Sequence, residues 1–245
     1  ASVQEAANTR APFVPPVADP AAWPEVRRHL IEERGIDAEL VDDAHAAGNV
    51  YAQSRKGPHG GDLVNAIFLA RDEAGRPTGA EIKGIRKRRD GTRYSGAAAG
   101  SNKKAGAFRA GLQKIADAAR VVVVESAIDA LSALGWIRND QGYQGPVSVV
   151  STAGDGCLPE PIGQAISETA ERYAAQDRNK AGDRRARRMG KGWERMLPPE
   201  PHEDWNEWAQ HAARDSNTET GEREEAQVGD PFGADLCNPS LPTGP

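Results

Sequence analysis

The sequence predicts an α/β protein: a small parallel sheet with helices on its faces over residues 118–212, preceded by a basic α+β domain over residues 23–117. Three observations carry this reading. From about residue 118, strand-like and helix-like segments alternate. The run Val121 to Val124 is too uniformly apolar for a strand with a wet face, so it reads as covered on both sides. Ahead of it, two helical patterns are followed by four strand-like segments with turns between them. Residues 1–22 form an irregular tail rich in Ala, Pro and Val. Residues 213–245 are acidic, rich in Gly, Pro, Ser and Asn, and expected to be disordered.

A helix is expected after Asp19, with Pro20 tolerated in its first turn. Trp23, Val26 and Leu30 share a face, and Gly35 stops the pattern. A second helix follows Asp37, carries Leu40, Val41 and Ala44, and ends near Gly48. NVYAQ, NAIFLA, AEIKGIRK and TRYSG are strand-like, with DEAGRPTG and RDG as turns. After the valine strand comes the helix SAIDALSALGW, then the strand PVSVVS, then a helix in LPEPIGQAISET. RYAAQ reads as a third strand and KAGDRRARRM as a strongly basic helix.

The 245 residues are 38% hydrophobic and 27% charged, enough for one large or two small folded units. The longest purely apolar run is far too short to span a membrane. ASVQEAANTR lacks the basic start and apolar stretch of a secretory signal, and the missing Met reads as a processed chain or a piece of a longer one. Cys157 and Cys237 lie far apart and outside any CxxC, which argues against a zinc ribbon or a disulfide framework and for a reducing cytoplasm. The net charge of −5 is unevenly spread. Residues 71–120 hold 13 Lys and Arg against 5 Asp and Glu, and residues 177–199 hold 8 against 3. Any one run could be a solvated face. Two basic blocks flanking an acidic, strand-like middle suit a polyanion held near carboxylates.

Glu125 directly follows the valine strand, and Asp177 directly follows RYAAQ. In parallel sheets, ligands bind beyond the carboxyl ends of the strands. If the two strands are neighbours, both carboxylates face one crevice, where hard oxygen ligands suit Mg²⁺ or Mn²⁺. Each acid could equally cap the helix behind it. There is no GxxxxGK[ST], hence no P-loop engine. His29, His45, His59, His202 and His211 are scattered and form no triad.

VVVVESAIDALSAL, VSVVSTAGDG and AAQDRNKAGDRRA together resemble the TOPRIM domain of primases, topoisomerases and some nucleases. Glu125 matches that family's glutamate, Gly154 its glycine and Asp177 the first acid of its DxD run, with Ala181 and Gly182 as the usual small pair. PHEDWNEWAQ resembles the element that closes the TOPRIM version in plasmid and phage primase-like proteins. Upstream, RGIDAELVDDAHAAGNVY, NAIFLARDEAGRPTGAEIKGI and SGAAAGSNKKAGAF resemble the uncharacterised domain that precedes TOPRIM in plasmid mobilisation proteins. The resemblance covers about residues 25–212. It implies a Rossmann-like parallel sheet and metal-dependent phosphoryl transfer. It departs at Asn179, where the family has its second Asp, and at Ser126, where it has Gly.

By that resemblance Glu125 and Asp177 are the catalytic and metal-binding acids, with Asn179 a weaker neutral ligand. Asp129, Asp183 and Asp204 are accessory acids that could restore the lost charge, although each is as readily an ordinary helix acid. Lys83, Arg86, Lys87, Arg88, Arg89, Arg93, Lys103, Lys104 and Arg109 would grip a template strand. Arg184, Arg185, Arg187 and Arg188 could contact phosphates from the basic helix. Tyr94 and Phe108 could stack bases, although core packing suits Phe108 better. The expected function is primase-like nucleotidyl transfer on single-stranded DNA, from nucleoside triphosphates, in plasmid replication or conjugative mobilisation, alongside a relaxase or helicase. Two rivals remain: a nuclease using the same carboxylates, and a non-catalytic DNA-binding module whose metal site has decayed.

Overall fold

The computed structural model describes residues 13–57, 61–88, 90–154 and 157–228. Arg89, His59, most of the N-terminal tail and residues 229–245 lie outside the described residues. Trp23–Arg28 (α1) follows a 3-10 turn capped by Asp19 and runs on through a π-helical turn, His29–Glu33, to Gly35. Ala38–Ala46 (α2) is capped by Asp37, whose carboxylate accepts from the backbone N–H groups of Glu39 and Leu40. Both starts follow the expected caps.

Four strands then form an antiparallel sheet in the order β1 (Val50–Lys56), β2 (Asp62–Arg71), β3 (Pro77–Gly84) and β4 (Ser95–Ala97). Strand β2 is buried from Val64 to Leu69 because it is covered on both faces. Val64, Ala66 and Phe68 enter the main core, while Ile67 and Leu69 enter a smaller cluster beneath Phe13 and Tyr51. Phe108 is 1% exposed and meets Phe68 edge-on, so it packs the core rather than stacking a base.

The second sheet runs β5-β7-β6-β8-β9. Its parallel centre consists of β6 (Arg120–Val124), β7 (Val147–Ser151) and β8 (Glu171–Ala174). Helices α3 (Ala127–Asn139), α4 (Glu160–Ala165) and α5 (Lys180–Arg188) connect and follow them. Val122 and Val124 face the main core and Val121 and Val123 a second cluster, as the uniform valine run requires. Two edge strands are not evident in the sequence. Strand β5 (Arg109–Gly111) precedes residue 118 yet pairs antiparallel with β7, and β9 (Glu194–Arg195) pairs with β8. Two- and three-residue strands are too short to show a period of two.

Helix α6 (Trp205–Val228) extends well into the segment expected to be irregular from residue 213. Its later sequence, rich in Glu, Ala, Arg and Gln, favours helix despite its polarity. Its first turn ties both halves of the molecule together. Trp205 is fully buried and donates from Nε1 to the Ala175 carbonyl at 2.7 Å. Asn206 donates from Nδ2 to the Arg34 carbonyl at 2.7 Å and to Ser132 Oγ at 3.0 Å. Among the described residues no helix is long and apolar enough to cross a membrane.

Candidate functional site

Strand β6 hydrogen-bonds directly to β8, in parallel, with Val123 opposite Ala174. Their carboxyl ends therefore deliver Glu125 and Asp177 to one crevice of about 380 Å³. Neither acid caps a helix. Ser126 caps α3 by accepting from the Asp129 N–H, and Asn179 caps α5 by accepting from Ala181 and Gly182. With the caps supplied by their neighbours, both acids are left for the crevice.

The turn after β7 closes one wall. Ala153 has φ 52° and Gly154 φ 82°, both left-handed, a conformation that costs a side-chain-bearing residue about 1–3 kcal/mol. The turn points the Ala153 carbonyl at Lys103 Nζ, 2.8 Å away, and the Gly154 N–H at the Glu125 carbonyl, 2.9 Å away. The opposite wall comes from the antiparallel sheet, through Glu81, Lys83 and Ser95. Glu81 is 7% exposed, accepts a short hydrogen bond from Ser151 Oγ, and accepts from the Ala127 N–H at 3.2 Å. Burial pushes its carboxyl above the usual range. Lys83 Nζ lies 4.0 Å from Glu81 and donates to Ser95 at 2.9 Å. Glu81 is a functional-site residue that sequence reasoning missed. One signal was available: in AEIKGI it stands two residues from Lys83, on the same face of the strand.

Like charges crowd the crevice. Burial, with Glu125, Asp129 and Asp204 nearby, pushes Asp177 up to about 7. Burial and Asp204 push Asp129 up to about 6, against the hydrogen bond it accepts from Ser126 Oγ at 2.6 Å. Asp177 thus binds a proton in the folded state that it lacks in the unfolded chain across the range from about 4 to 7. That contribution to stability is lost as pH rises through 7. The melting temperature of the metal-free protein is expected to fall between about pH 5 and pH 7 and to level off above that. The slope is expected to be shallower in Asp177→Asn, a comparison that thermal melts would decide.

Other expected site residues are placed elsewhere. Asp183 pairs with Arg195 at 3.2 Å and does not line the crevice. The Asn179 amide is committed at both ends, since its oxygen caps α5 and its Nδ2 donates to Glu203 at 2.7 Å, which leaves it no lone role as a metal ligand. Arg109 is 3% exposed and held by Glu73 and the Asp72 carbonyl, so it does not reach a nucleic acid. Arg86 grips Glu25 through two hydrogen bonds of 3.0 Å, and Arg93 pairs with Glu33. Lys87, Arg88 and Lys104 are exposed, as are Arg184, Arg187 and Arg188 on α5. Arg88 stacks over Tyr94 at 5.3 Å. Arg185 turns inward instead and pairs with Glu125. Arg195, delivered by β9, clasps the end of β8 by donating to the carbonyls of Gln176 at 2.6 Å and Asp177 at 2.7 Å.

Residues 122–209 match the Toprim-like family model. This match is preceded, over residues 28–114, by a match to the family described as a protein of unknown function (DUF3991). No curated protein matches the sequence significantly. Among solved structures, the chain is similar to the primase fragment of the bacteriophage T7 primase-helicase protein, at 17% identity and a TM-score of 0.49, over 76% of this chain and 71% of that one. It is also similar to the E. coli primase catalytic core, at 16% identity and a TM-score of 0.44, over 85% of this chain and 74% of that one. A third similar structure is the DnaG primase catalytic domain bound to single-stranded DNA, at 16% identity and a TM-score of 0.44, over 82% and 73%.

TOPRIM domains imply a divalent cation, and the donor chemistry here fits one. Glu125 and Asp177 are hard oxygen ligands, Glu125 Oε1 is buried without a hydrogen-bond partner, and Asp177 is crowded by the like charges of Glu125, Asp129 and Asp204. Among the described residues no group of three His, Cys, Asp or Glu side chains is placed to hold an ion. Two carboxylates completed by water and phosphate oxygens are the usual provision for Mg²⁺.

Proposed function

We propose that the protein carries out primase-like, metal-dependent nucleotidyl transfer on single-stranded DNA, in plasmid replication or conjugative mobilisation. The observation that carries this reading is the meeting of Glu125 and Asp177 with Lys83 and Lys103 across one crevice between two sheets. Glu125 and Asp177 would hold Mg²⁺ or Mn²⁺. That cation would supply charge neutralisation for the phosphates and orient the attacking hydroxyl. The ammonium groups of Lys83 and Lys103 stand opposite the carboxylates, where they can draw in the oxygens of a nucleoside triphosphate. Glu81 braces Lys83 from below and fixes the start of α3, holding the two walls in register. The exposed Lys87, Arg88 and Lys104, with Arg89, would steer the template strand, and their contacts predict salt-sensitive binding. A relaxase or helicase would act alongside.

The test is RNA primer synthesis from ribonucleotides on a single-stranded template with Mg²⁺ or Mn²⁺. Asp177→Asn is expected to lose synthesis by at least about a hundredfold, since it removes one of the two carboxylates that would hold the cation. Nicking of supercoiled plasmid without nucleotides would replace this reading with a nuclease. A second reading, a DNA-binding module without catalysis, is favoured by the commitment of Asn179 to helix capping. It expects DNA binding indifferent to metal and to Asp177.

A further inference from the structure

Helix α5 presents two kinds of arginine. Arg184, Arg187 and Arg188 are exposed, the arrangement expected of a basic helix facing solvent or a polyanion. Arg185 lies on a neighbouring face, turned toward the crevice. Its Nη1 donates a short hydrogen bond to Glu125 Oε2, and its Nη2 reaches the Gly154 carbonyl at 3.4 Å. The guanidinium thus sits on the carboxylate that the proposed cation needs, between the turn after β7 and the end of β6. An arginine is always charged, so the pairing persists at any physiological pH. A cation can use Glu125 fully only if Arg185 lets go.

A guanidinium displaced from a carboxylate needs another oxyanion, and phosphate matches its fork geometry. On the reading of Glu125 and Asp177 as a metal site, we infer that Arg185 is an exchangeable plug. It blocks Glu125 in the empty protein and transfers to a substrate phosphate when that phosphate enters with the cation. The exchange couples the two ligands, so that neither binds well alone and each strengthens the other by the same factor. It also gives the site a countercharge while it is empty, among acids that otherwise repel one another. No covalent step is involved.

Mn²⁺ binding by titration calorimetry, on the full chain, tests this without relying on activity. If the plug occupies Glu125 in about nine-tenths of molecules, Arg185→Gln is expected to bind Mn²⁺ about tenfold more tightly than the parent when no phosphate is present. The titration is repeated with a thymidine decamer and, separately, with a nucleoside triphosphate, the cation chelated by the nucleotide being subtracted from a protein-free titration. The parent is expected to close most of the tenfold gap with one of these, which identifies whether the phosphate belongs to DNA or to nucleotide. Arg185→Met, which keeps the packed stem, is measured alongside, with melts to confirm that each variant folds. Equal Mn²⁺ affinity in parent and both variants overturns the plug while leaving the metal site standing. A gap that neither phosphate ligand narrows overturns the exchange. An absence of Mn²⁺ binding in every protein, with or without phosphate, overturns the metal site and the plug together.

Discussion

Glu125→Gln is expected to bind Mn²⁺ about a hundredfold more weakly than the parent, a loss of about 3 kcal/mol, and to make no primers. The side chain keeps its size, so the change removes a charge rather than a contact. Glu125 stands at the end of the central strand with one oxygen on Arg185 and the other buried without a partner. An amide can still accept from Arg185, but it cannot balance a divalent cation in a crevice where Asp177 already holds its proton up to about 7. The substitution has a second, independent signature. With one like charge removed, Asp177 is expected to titrate lower than about 7, a shift that carboxyl-resolved NMR would read. Unchanged Mn²⁺ affinity together with an unmoved Asp177 would count against the placement of Glu125 at the site.

Gly182→Ala has the largest expected effect on the fold. In an exposed helix the same change stabilises by about 1 kcal/mol, because alanine is the better helix former. Here a Cβ at position 182 would lie 2.0 Å from the Asp177 carbonyl oxygen, and that oxygen belongs to backbone that cannot swing aside. The carbonyl is also held by Arg195 Nη2 at 2.7 Å and by the Asn179 N–H at 2.9 Å. Helix α5 would have to lift from the end of β8, at a cost of about 3 kcal/mol or more. For a chain of this size, that lowers the melting temperature by roughly 6–12 °C. Because Asp177 moves with its carbonyl, cation binding should weaken in the same variant. A melting temperature equal to or above that of the parent would refute the close approach.

Much of this was legible in the order of residue types. Four consecutive valines point to a strand covered on both faces, and the helix–strand alternation after them to the parallel centre of the sheet, which β5 joins antiparallel. Acids placed at the ends of two such strands point to one edge of the sheet, and β6 does lie beside β8. The small pair Ala181–Gly182 also had its meaning in the sequence, since a helix that starts against a strand end has no room for a side chain.

The rest depended on partners far away in the chain, which no local pattern encodes. Arg109 looked like one more member of a basic block, yet β5 inserts it beside Glu73 in the interior, while Arg86 and Arg93 find Glu25 and Glu33 more than fifty residues distant. Asn179 read as a weakened ligand, but the geometry of α5 turns its oxygen onto two backbone N–H groups. Glu81 gained its place because the first sheet docks against the start of α3, and Arg185 faces inward because position 185 falls on the side of α5 nearest β6. The sequence by itself determined which residues could bear charge at the ends of the strands. The tertiary structure decided which charges meet. An ion pair requires two side chains within a few ångströms, and that distance is set by packing rather than by spacing along the chain.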